Sequence, residues 1–205
     1  MNNISKRRMS TRKVAVTGIL SAFSILLSLI PSLGYIPVPP LTITTMHIPV
    51  IIAGILEGPV VGGFVGLIFG LSSMYTAATI FAGMPTAFVF LNPLVSVLPR
   101  ILIGIAAHYA FVGVDKLTRK KSIAIVTGSV AGTLTNTIGV LGMIYILYAQ
   151  QYVDAIVKSS ETPVVVTSLF AVVFGAVSIN IVLEILLAAL ICAPIVFAVN
   201  RTNRR

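Results

Sequence analysis

The stretch TITTMHIPVIIAGILEGPVVGGFVGLIFGLSSM, from Thr42 to Met74, is the most informative part of this sequence. It holds one acidic residue and no basic one, and apolar runs lie on both sides of the turn Glu57-Gly58-Pro59. Glycines spaced four apart share one face of a helix, and inside a bilayer such a face lets another helix approach closely. The second apolar run carries three of them: Gly62, Gly66 and Gly70. The stretch therefore predicts closely packed helices within a membrane.

The composition of the whole chain supports the same interpretation. The 205 residues are 57% hydrophobic and 9% charged, with a mean hydropathy of +1.06, far from the values of soluble domains. We expect an integral membrane protein that forms one domain over residues 1–205. The net charge of +9 comes from basic residues near the ends of apolar segments, which indicates orientation in the bilayer rather than nucleic-acid binding. The N-terminal apolar run lacks a signal-peptide cleavage pattern, so we expect it to remain as the first helix.

Six apolar segments predict an all-α, six-helix membrane bundle. Their approximate bounds are 12–30, 46–56, 59–75, 88–114, 123–149 and 163–199. The second segment is too short to cross the hydrocarbon core, which takes roughly 20 helical residues. Either the bilayer is thin there, or protein or water covers part of the helix. A connection rich in proline, which disfavours helix, separates the first two segments.

The distribution of basic residues predicts the topology. The basic residues form three groups near segment ends. The first group is at the start of the first segment: Lys6, Arg7, Arg8, Arg12 and Lys13. The second follows the fourth segment (Lys116, Arg119, Lys120 and Lys121), and the third follows the sixth (Arg201, Arg204 and Arg205). An even number of crossings separates each group from the next. Because basic residues concentrate in cytoplasmic loops, both termini are expected in the cytoplasm. The loops after the first, third and fifth segments are then outside.

Two ionisable residues lie within the apolar segments, where their cost makes each a functional hypothesis. Arg100 is in the fourth segment and shares a helix face with Asn92 and Ser96, while Glu184 is in the sixth, one turn after Asn180. Asn136 adds a polar group on the fifth. We expect these residues to line a pocket open to the outside. Two alternatives stay open: Arg100 and Glu184 could neutralise each other, and the two asparagines could join helices.

Motifs for catalysis are missing from the sequence. It has no phosphate-binding loop of the Walker type, no His-Glu-x-x-His metal site and no Gly-x-Ser-x-Gly nucleophile elbow. His47 has no second ligand at metal-site spacing, so we expect it to cap a helix or lie at the interface. The chain is therefore predicted to bind a molecule rather than to act as an enzyme, and no metal or cofactor is expected. The first segment carries small residues on one face, suited to packing or to docking another membrane protein: Ala15, Gly18 and Ala22.

With six segments of this size, the chain resembles the substrate-binding S components of energy-coupling factor (ECF) vitamin transporters. The resemblance is carried by Thr44–Ile52, the turn Glu57-Gly58-Pro59, Gly66–Leu71, Asn92-Pro93 and Leu98–Gly104. These stretches are similar to the branch that includes pantothenate, riboflavin and pyridoxine members. The resemblance covers about the first two-thirds of the chain closely and the remainder by topology.

The resemblance implies a location, a pocket and partners. An S component of the plasma membrane binds its vitamin near the outer surface, in a pocket formed by helices four to six and capped by the loop after helix one, which here contains Tyr35. It docks on a transmembrane coupling protein bound to two cytoplasmic ATPase subunits and topples to release the vitamin inward. The family docks through an Ala-x-x-x-Ala pattern in helix one. In this sequence the residue four positions after Ala15 is Ile19, and the nearest match to the pattern is Gly18-x-x-x-Ala22.

The substrate is suggested by Arg100, because a buried guanidinium favours a carboxylate. Pantothenate has a carboxylate together with hydroxyl and amide groups that Asn92 and Asn136 could bond. We therefore expect pantothenate first, and riboflavin or a B6 vitamer if Glu184 neutralises Arg100. A stand-alone secondary transporter is the other alternative, although such proteins commonly contain internal repeats and none is visible here. A membrane enzyme acting on lipid-linked substrates is the least supported.

Overall fold

The computed structural model describes residues 11–38, 41–159, 168–175 and 178–202, and almost all of them are helical. The helices are α1 (Thr11–Leu29), α2 (Pro31–Gly34), α3 (Ile48–Glu57), α4 (Pro59–Ala78), α5 (Pro93–Ser96), α6 (Leu98–Thr118), α7 (Lys121–Ser159), α8 (Leu169–Gly175) and α9 (Ser178–Thr202). A 3-10 helix covers Ala87–Leu91. Within the described part of the chain, five segments are long and apolar enough to cross a membrane: Thr11–Leu29, Pro59–Ala78, Pro93–Thr118, Lys121–Ser159 and Asn180–Val199. The chain is thus a mainly α-helical multi-pass membrane protein.

One predicted segment is divided in the structure, one is described only in part, and one is longer than expected. The fourth, expected as one helix over 88–114, consists of the 3-10 helix, α5 and α6. Pro93 and Pro99 lie in the first turns of α5 and α6, where proline is tolerated, and each restricts the residue before it. The sixth, expected over 163–199, includes α8 and α9, while its residues 163–167 and 176–177 lie outside the described ranges. The fifth is longer than expected, with α7 running to Ser159.

The proline-rich connection after α1 forms a β-hairpin, an element that the all-α prediction did not include. Strand β1 (Tyr35–Val38) pairs in antiparallel register with β2 (Leu41–Thr44). At the open end of the hairpin, Tyr35 is opposite Thr44. Pro39 and Pro40, which follow β1 in the sequence, lie outside the described residues.

The glycine face of α4 packs directly on α6, as the spacing predicted. A Cβ atom at Gly62 would lie 2.9 Å from the Gly104 Cα, and one at Gly70 would lie 2.7 Å from the Val97 Cα. Between them, Gly66 contacts the backbone of Arg100. These pairs run in opposite directions along the two helices. The end of α6, with Lys116, therefore lies at the same end of the bundle as the start of α4.

Helix α3 occupies the centre of the bundle. Its ten residues are too few to span a bilayer, but every residue from Ile48 to Ile55 is buried by protein. Of the two explanations open for a short helix, the structure therefore supports protein cover. The turn into α4 contains Gly58, whose φ of 101° suits glycine. Beside it, the Arg12 Nη2 lies 2.9 Å from the Glu57 Oε1, which holds the start of α1 at this turn.

Candidate functional site

A cavity of about 840 Å³ lies between the hairpin, the C-terminal part of α4, the segment 79–91 and α6. Its walls are mainly apolar, and Tyr35, Thr76 and Arg100 are among its polar members. The described residues that line it are Pro31, Ser32, Tyr35, Ser73, Thr76, Ala77, Phe81, Met84, Ala87, Phe90 and Arg100. An apolar pocket with a few convergent polar groups is the usual form of a small-molecule site.

Arg100 provides the positive charge at the wall of this cavity. Arg100 is 6% exposed, and its Nη1 donates a hydrogen bond to the Val95 carbonyl oxygen. The guanidinium carbon lies 5.6 Å from the centroid of the Phe69 ring and 5.9 Å from that of Phe90, within the range of cation–π attraction. The Nε is buried without a hydrogen-bond acceptor, and no carboxylate of the described residues lies within ion-pair distance. The guanidinium can therefore accept an anionic ligand.

Tyr35 brings the hairpin to the cavity. Its ring meets that of Phe81 edge to face, with the centroids 5.6 Å apart, so the hairpin and the segment 79–91 touch above the cavity. Burial raises the pKa of the Tyr35 hydroxyl, and the positive charge of Arg100 opposes that shift. Because the net shift is upward, the hydroxyl stays protonated at neutral pH and can donate a hydrogen bond.

Asn92 and Ser96 make hydrogen bonds within the protein that fix the conformation of the chain before Arg100. The Asn92 Oδ1 accepts a hydrogen bond from the Leu94 N–H at 2.9 Å and so caps α5, a common role of asparagine. Its Nδ2 donates to the Tyr148 hydroxyl of α7, also at 2.9 Å. The fully buried Ser96 donates its hydroxyl hydrogen to the Phe90 carbonyl. Neither Asn92 nor Ser96 is among the described residues that line the cavity.

Asn136 and Asn180 lie on the α7 and α9 side of the bundle. Both are partly buried, and neither belongs to the described lining of the cavity. The amide oxygen of Asn136 is buried and accepts no hydrogen bond from any described residue. An unpaired buried acceptor is costly.

Glu184 does not pair with Arg100 in the structure. Its Oε1 accepts hydrogen bonds from the Thr44 N–H at 3.0 Å and from the Thr44 hydroxyl at 2.5 Å. Its Oε2 accepts one from the Thr137 hydroxyl of α7 at 3.5 Å. The carboxylate therefore joins α9 to the end of the hairpin, and the mutual neutralisation that the sequence left open is absent.

His47 is placed differently from the sequence-based expectation. It stands at the N-cap position of α3 without a side-chain capping bond, and it is 1% exposed rather than interfacial. Its Nε2 lies 3.1 Å from the Thr133 hydroxyl of α7, one turn before Thr137. The apolar residues next to His47 in the sequence are the one local feature that indicates its burial. Its hydrogen-bond partner, Thr133, is 86 residues away in the sequence and could not be predicted from them.

The small residues of α1 lie on its uncovered side. Ala15, Gly18 and Ala22 are all exposed, and a Cβ atom at Gly18 would meet nothing within 4 Å. Large apolar side chains of the same helix are exposed as well, among them Val14, Ile19 and Phe23. Only 17% of the most apolar window of α1 is buried inside the chain, so this helix has apolar surface free for lipid or for a partner.

Comparisons with known proteins show what this chain is similar to. Residues 12–196 match the family model described as "ECF transporter, substrate-specific component". The chain is 30% identical over 194 residues to the pantothenate transporter PanT of Leuconostoc mesenteroides subsp. mesenteroides, covering 90% of each protein. It is 32% identical over 123 residues to the pantothenic acid transporter PanT of Lactococcus lactis subsp. cremoris, covering 53% of this chain and 59% of that protein.

Proposed function

Because the chain belongs to the family of ECF transporter substrate-specific components, we propose that it binds pantothenate and delivers it to an ATP-driven module in the same membrane. The two relatives described above are named as transporters of this vitamin, which supports the choice of substrate. The chain itself is not an enzyme, and ATP hydrolysis is assigned to separate subunits.

The observation that carries the substrate assignment is the unneutralised Arg100. It borders the cavity, it has no carboxylate partner among the described residues, and Glu184 is engaged with Thr44 instead. A buried guanidinium without a counter-charge is unfavourable in a membrane protein. The carboxylate of pantothenate would supply that charge when the ligand binds.

The other polar groups suit the remaining parts of pantothenate. The hydroxyl of Tyr35, at the wall of the cavity, can bond an amide or hydroxyl group of the ligand. Asn136 lies outside the described lining, and its unpaired amide oxygen is proposed as a further contact. We retain Asn180 as a further contact from α9. Asn92 and Ser96, whose polar groups already bond within the protein, are proposed to hold Arg100 in place rather than to touch the ligand.

We place six membrane segments in the bilayer, with α3 as the short one, and both termini in the cytoplasm. Four basic residues support this orientation. They lie around the junction of α6 and α7, at the end of the bundle where Arg12 meets Glu57: Lys116, Arg119, Lys120 and Lys121. The hairpin and the cavity then open toward the outside, where the vitamin is taken up.

The partners are a transmembrane coupling protein and two cytoplasmic ATPase subunits. The surface proposed for docking is the exposed face of α1 formed by Ala15, Gly18 and Ala22. Its small side chains would let a helix of the coupling protein approach closely. The weak cover of α1 within the chain supports this assignment.

Binding of two matched ligands to the purified full chain tests the substrate. Pantothenate should bind, and the analogue with CH₂OH in place of its carboxylate should bind about 10- to 100-fold more weakly, because a hydrogen bond between charged groups is lost. Arg100→Ala should abolish this preference, and Arg100→Lys should restore part of it. Mass spectrometry of small molecules that copurify provides an independent check. Equal binding of both ligands, or an unchanged preference in Arg100→Ala, would refute the role of Arg100.

A further inference from the structure

The hairpin joins two groups of buried polar residues that the sequence did not connect. On one side, Tyr35 lines the cavity beside Arg100. On the other, Thr44 bonds Glu184 of α9 through both its N–H and its hydroxyl. Tyr35 and Thr44 are direct partners in the antiparallel register. Side chains of such partners lie on the same face of a hairpin, with Cβ atoms roughly 5 Å apart.

From this arrangement we propose that Glu184 is a positioning residue for substrate binding, because its carboxylate fixes Thr44 and thereby the wall that Tyr35 forms. The inference rests on the proposed function and adds a role for the buried carboxylate that does not touch the ligand. Glu184 acts as a hydrogen-bond acceptor for neutral donors of β2 and α7.

The contacts at the start of α3 strengthen the argument. Thr45, next to Thr44, donates its backbone N–H to the Gly34 carbonyl and its hydroxyl to the Leu33 carbonyl, both at 3.0 Å. The hairpin is therefore held from α2 on one side and from α9 on the other. Only the α9 contact depends on an ionisable side chain within a membrane helix, and Glu184 is 6% exposed there. A buried carboxylate at such a position is a costly feature unless its acceptor groups are needed.

An acceptor role and a charge role predict different results for the isosteric variant. Glu184→Gln keeps an oxygen for Thr44 but removes the negative charge, whereas Glu184→Ala removes both. We expect pantothenate affinity to fall about 10- to 100-fold in Glu184→Ala and less than about 3-fold in Glu184→Gln, the sizes expected for hydrogen bonds lost and retained. Thr44→Val should weaken binding by an intermediate factor and should add little to Glu184→Ala. Equal losses in Glu184→Gln and Glu184→Ala would overturn the proposal.

A chemical probe of the hairpin tests the same inference without any ligand. The natural Cys192 is buried, and Cys192→Ala leaves a background into which one reporter cysteine is introduced. Thr45→Cys places a buried thiol at the end of the hairpin, and Ser24→Cys places one on α1, where Ser24 is also buried. The reaction of each thiol with a water-soluble maleimide is followed in the full chain reconstituted in lipid.

We expect Glu184→Ala to speed the labelling of the Thr45→Cys reporter about 10-fold, since the lost hydrogen bonds favour opening of the hairpin. Glu184→Gln should leave that rate nearly unchanged, and neither variant should affect the Ser24→Cys reporter. If Glu184→Ala accelerates labelling equally at both reporters, Glu184 has only a general structural role and the proposal is overturned. If Glu184→Ala leaves the labelling of the Thr45→Cys reporter unchanged, the proposal is also overturned. If the chain fails to bind pantothenate, the proposed function fails, while the labelling result still decides the role of Glu184 in the hairpin.

Discussion

The backbone of Arg100 rests against Gly66. A Cβ atom at Gly66 would collide with the Arg100 carbonyl oxygen, since it would lie closer than any side chain allows. The glycine face of α4 therefore determines where the first turn of α6 lies. Since Arg100 borders the cavity, the helix packing also sets the position of the guanidinium.

Gly66→Ala is expected to lower both stability and substrate affinity. The added methyl group must push α6 away from α4, and overpacking of this kind costs about 1–3 kcal/mol of the free energy of unfolding. Gly63→Ala is the matched control, because its nearest neighbour would be 3.6 Å away, an ordinary contact. Thermal unfolding in detergent and pantothenate titration measure the two effects. Similar behaviour of both variants would contradict the packing argument.

Replacing Asn136 should separate stability from binding. Asn136→Leu removes a buried oxygen that has no described hydrogen-bond donor, so the midpoint of unfolding should stay the same or rise. Pantothenate affinity should fall about 10-fold if this oxygen accepts a bond from the ligand.

Asn92→Ala, unlike Asn136→Leu, should lower stability, and it should weaken pantothenate binding only in part, because Asn92 is proposed to hold Arg100 rather than to touch the ligand. It removes the cap of α5 and the bond to Tyr148, and loss of a cap alone costs about 1 kcal/mol. The same thermal and binding measurements apply. A stable Asn92→Ala protein that has lost all binding would instead indicate direct contact of Asn92 with the ligand.

The ion pair of Arg12 and Glu57 should anchor the start of α1. The Glu57 side chain is 4% exposed, so Arg12→Glu leaves two carboxylates facing each other and should destabilise the chain by about 1–3 kcal/mol. The double variant Arg12→Glu, Glu57→Arg should recover part of that loss. Thermal unfolding of the single and double variants measures the coupling, and additive effects would show that the contact contributes nothing.

A bulky residue on α1 should impair transport without affecting ligand binding. Gly18→Leu has free space within the chain, so the isolated protein should fold and bind pantothenate normally. If α1 docks on the coupling protein, uptake by cells carrying the complete module should fall at least about 10-fold, because close helix approach needs small residues. Gly142→Leu, at an equally open position on α7, should leave uptake unchanged. Normal uptake by Gly18→Leu would exclude this face as the docking surface.

Local sequence was enough to predict a mainly α-helical membrane protein. Runs of apolar residues predict where helices cross, because backbone groups in lipid must be satisfied within the helix. The spacing of Gly62, Gly66 and Gly70 predicted a face for close packing, and the structure confirmed it on α6. The conformation of the stretch before Arg100 was harder to predict, since Pro93 and Pro99 divide an apolar run whose composition alone suggests one helix.

Which polar groups meet could be seen only in the folded chain. Glu184 and Thr44 are 140 residues apart and His47 and Thr133 are 86 apart, so no periodic pattern relates either pair. Hydropathy identifies a charged group in a membrane helix, but its partner depends on how the helices turn toward each other. Helix rotation and depth are set by the packing of every neighbouring side chain. For this reason the sequence could indicate Arg100 and Glu184 as important, while only the folded chain assigned one to the cavity and the other to the hairpin.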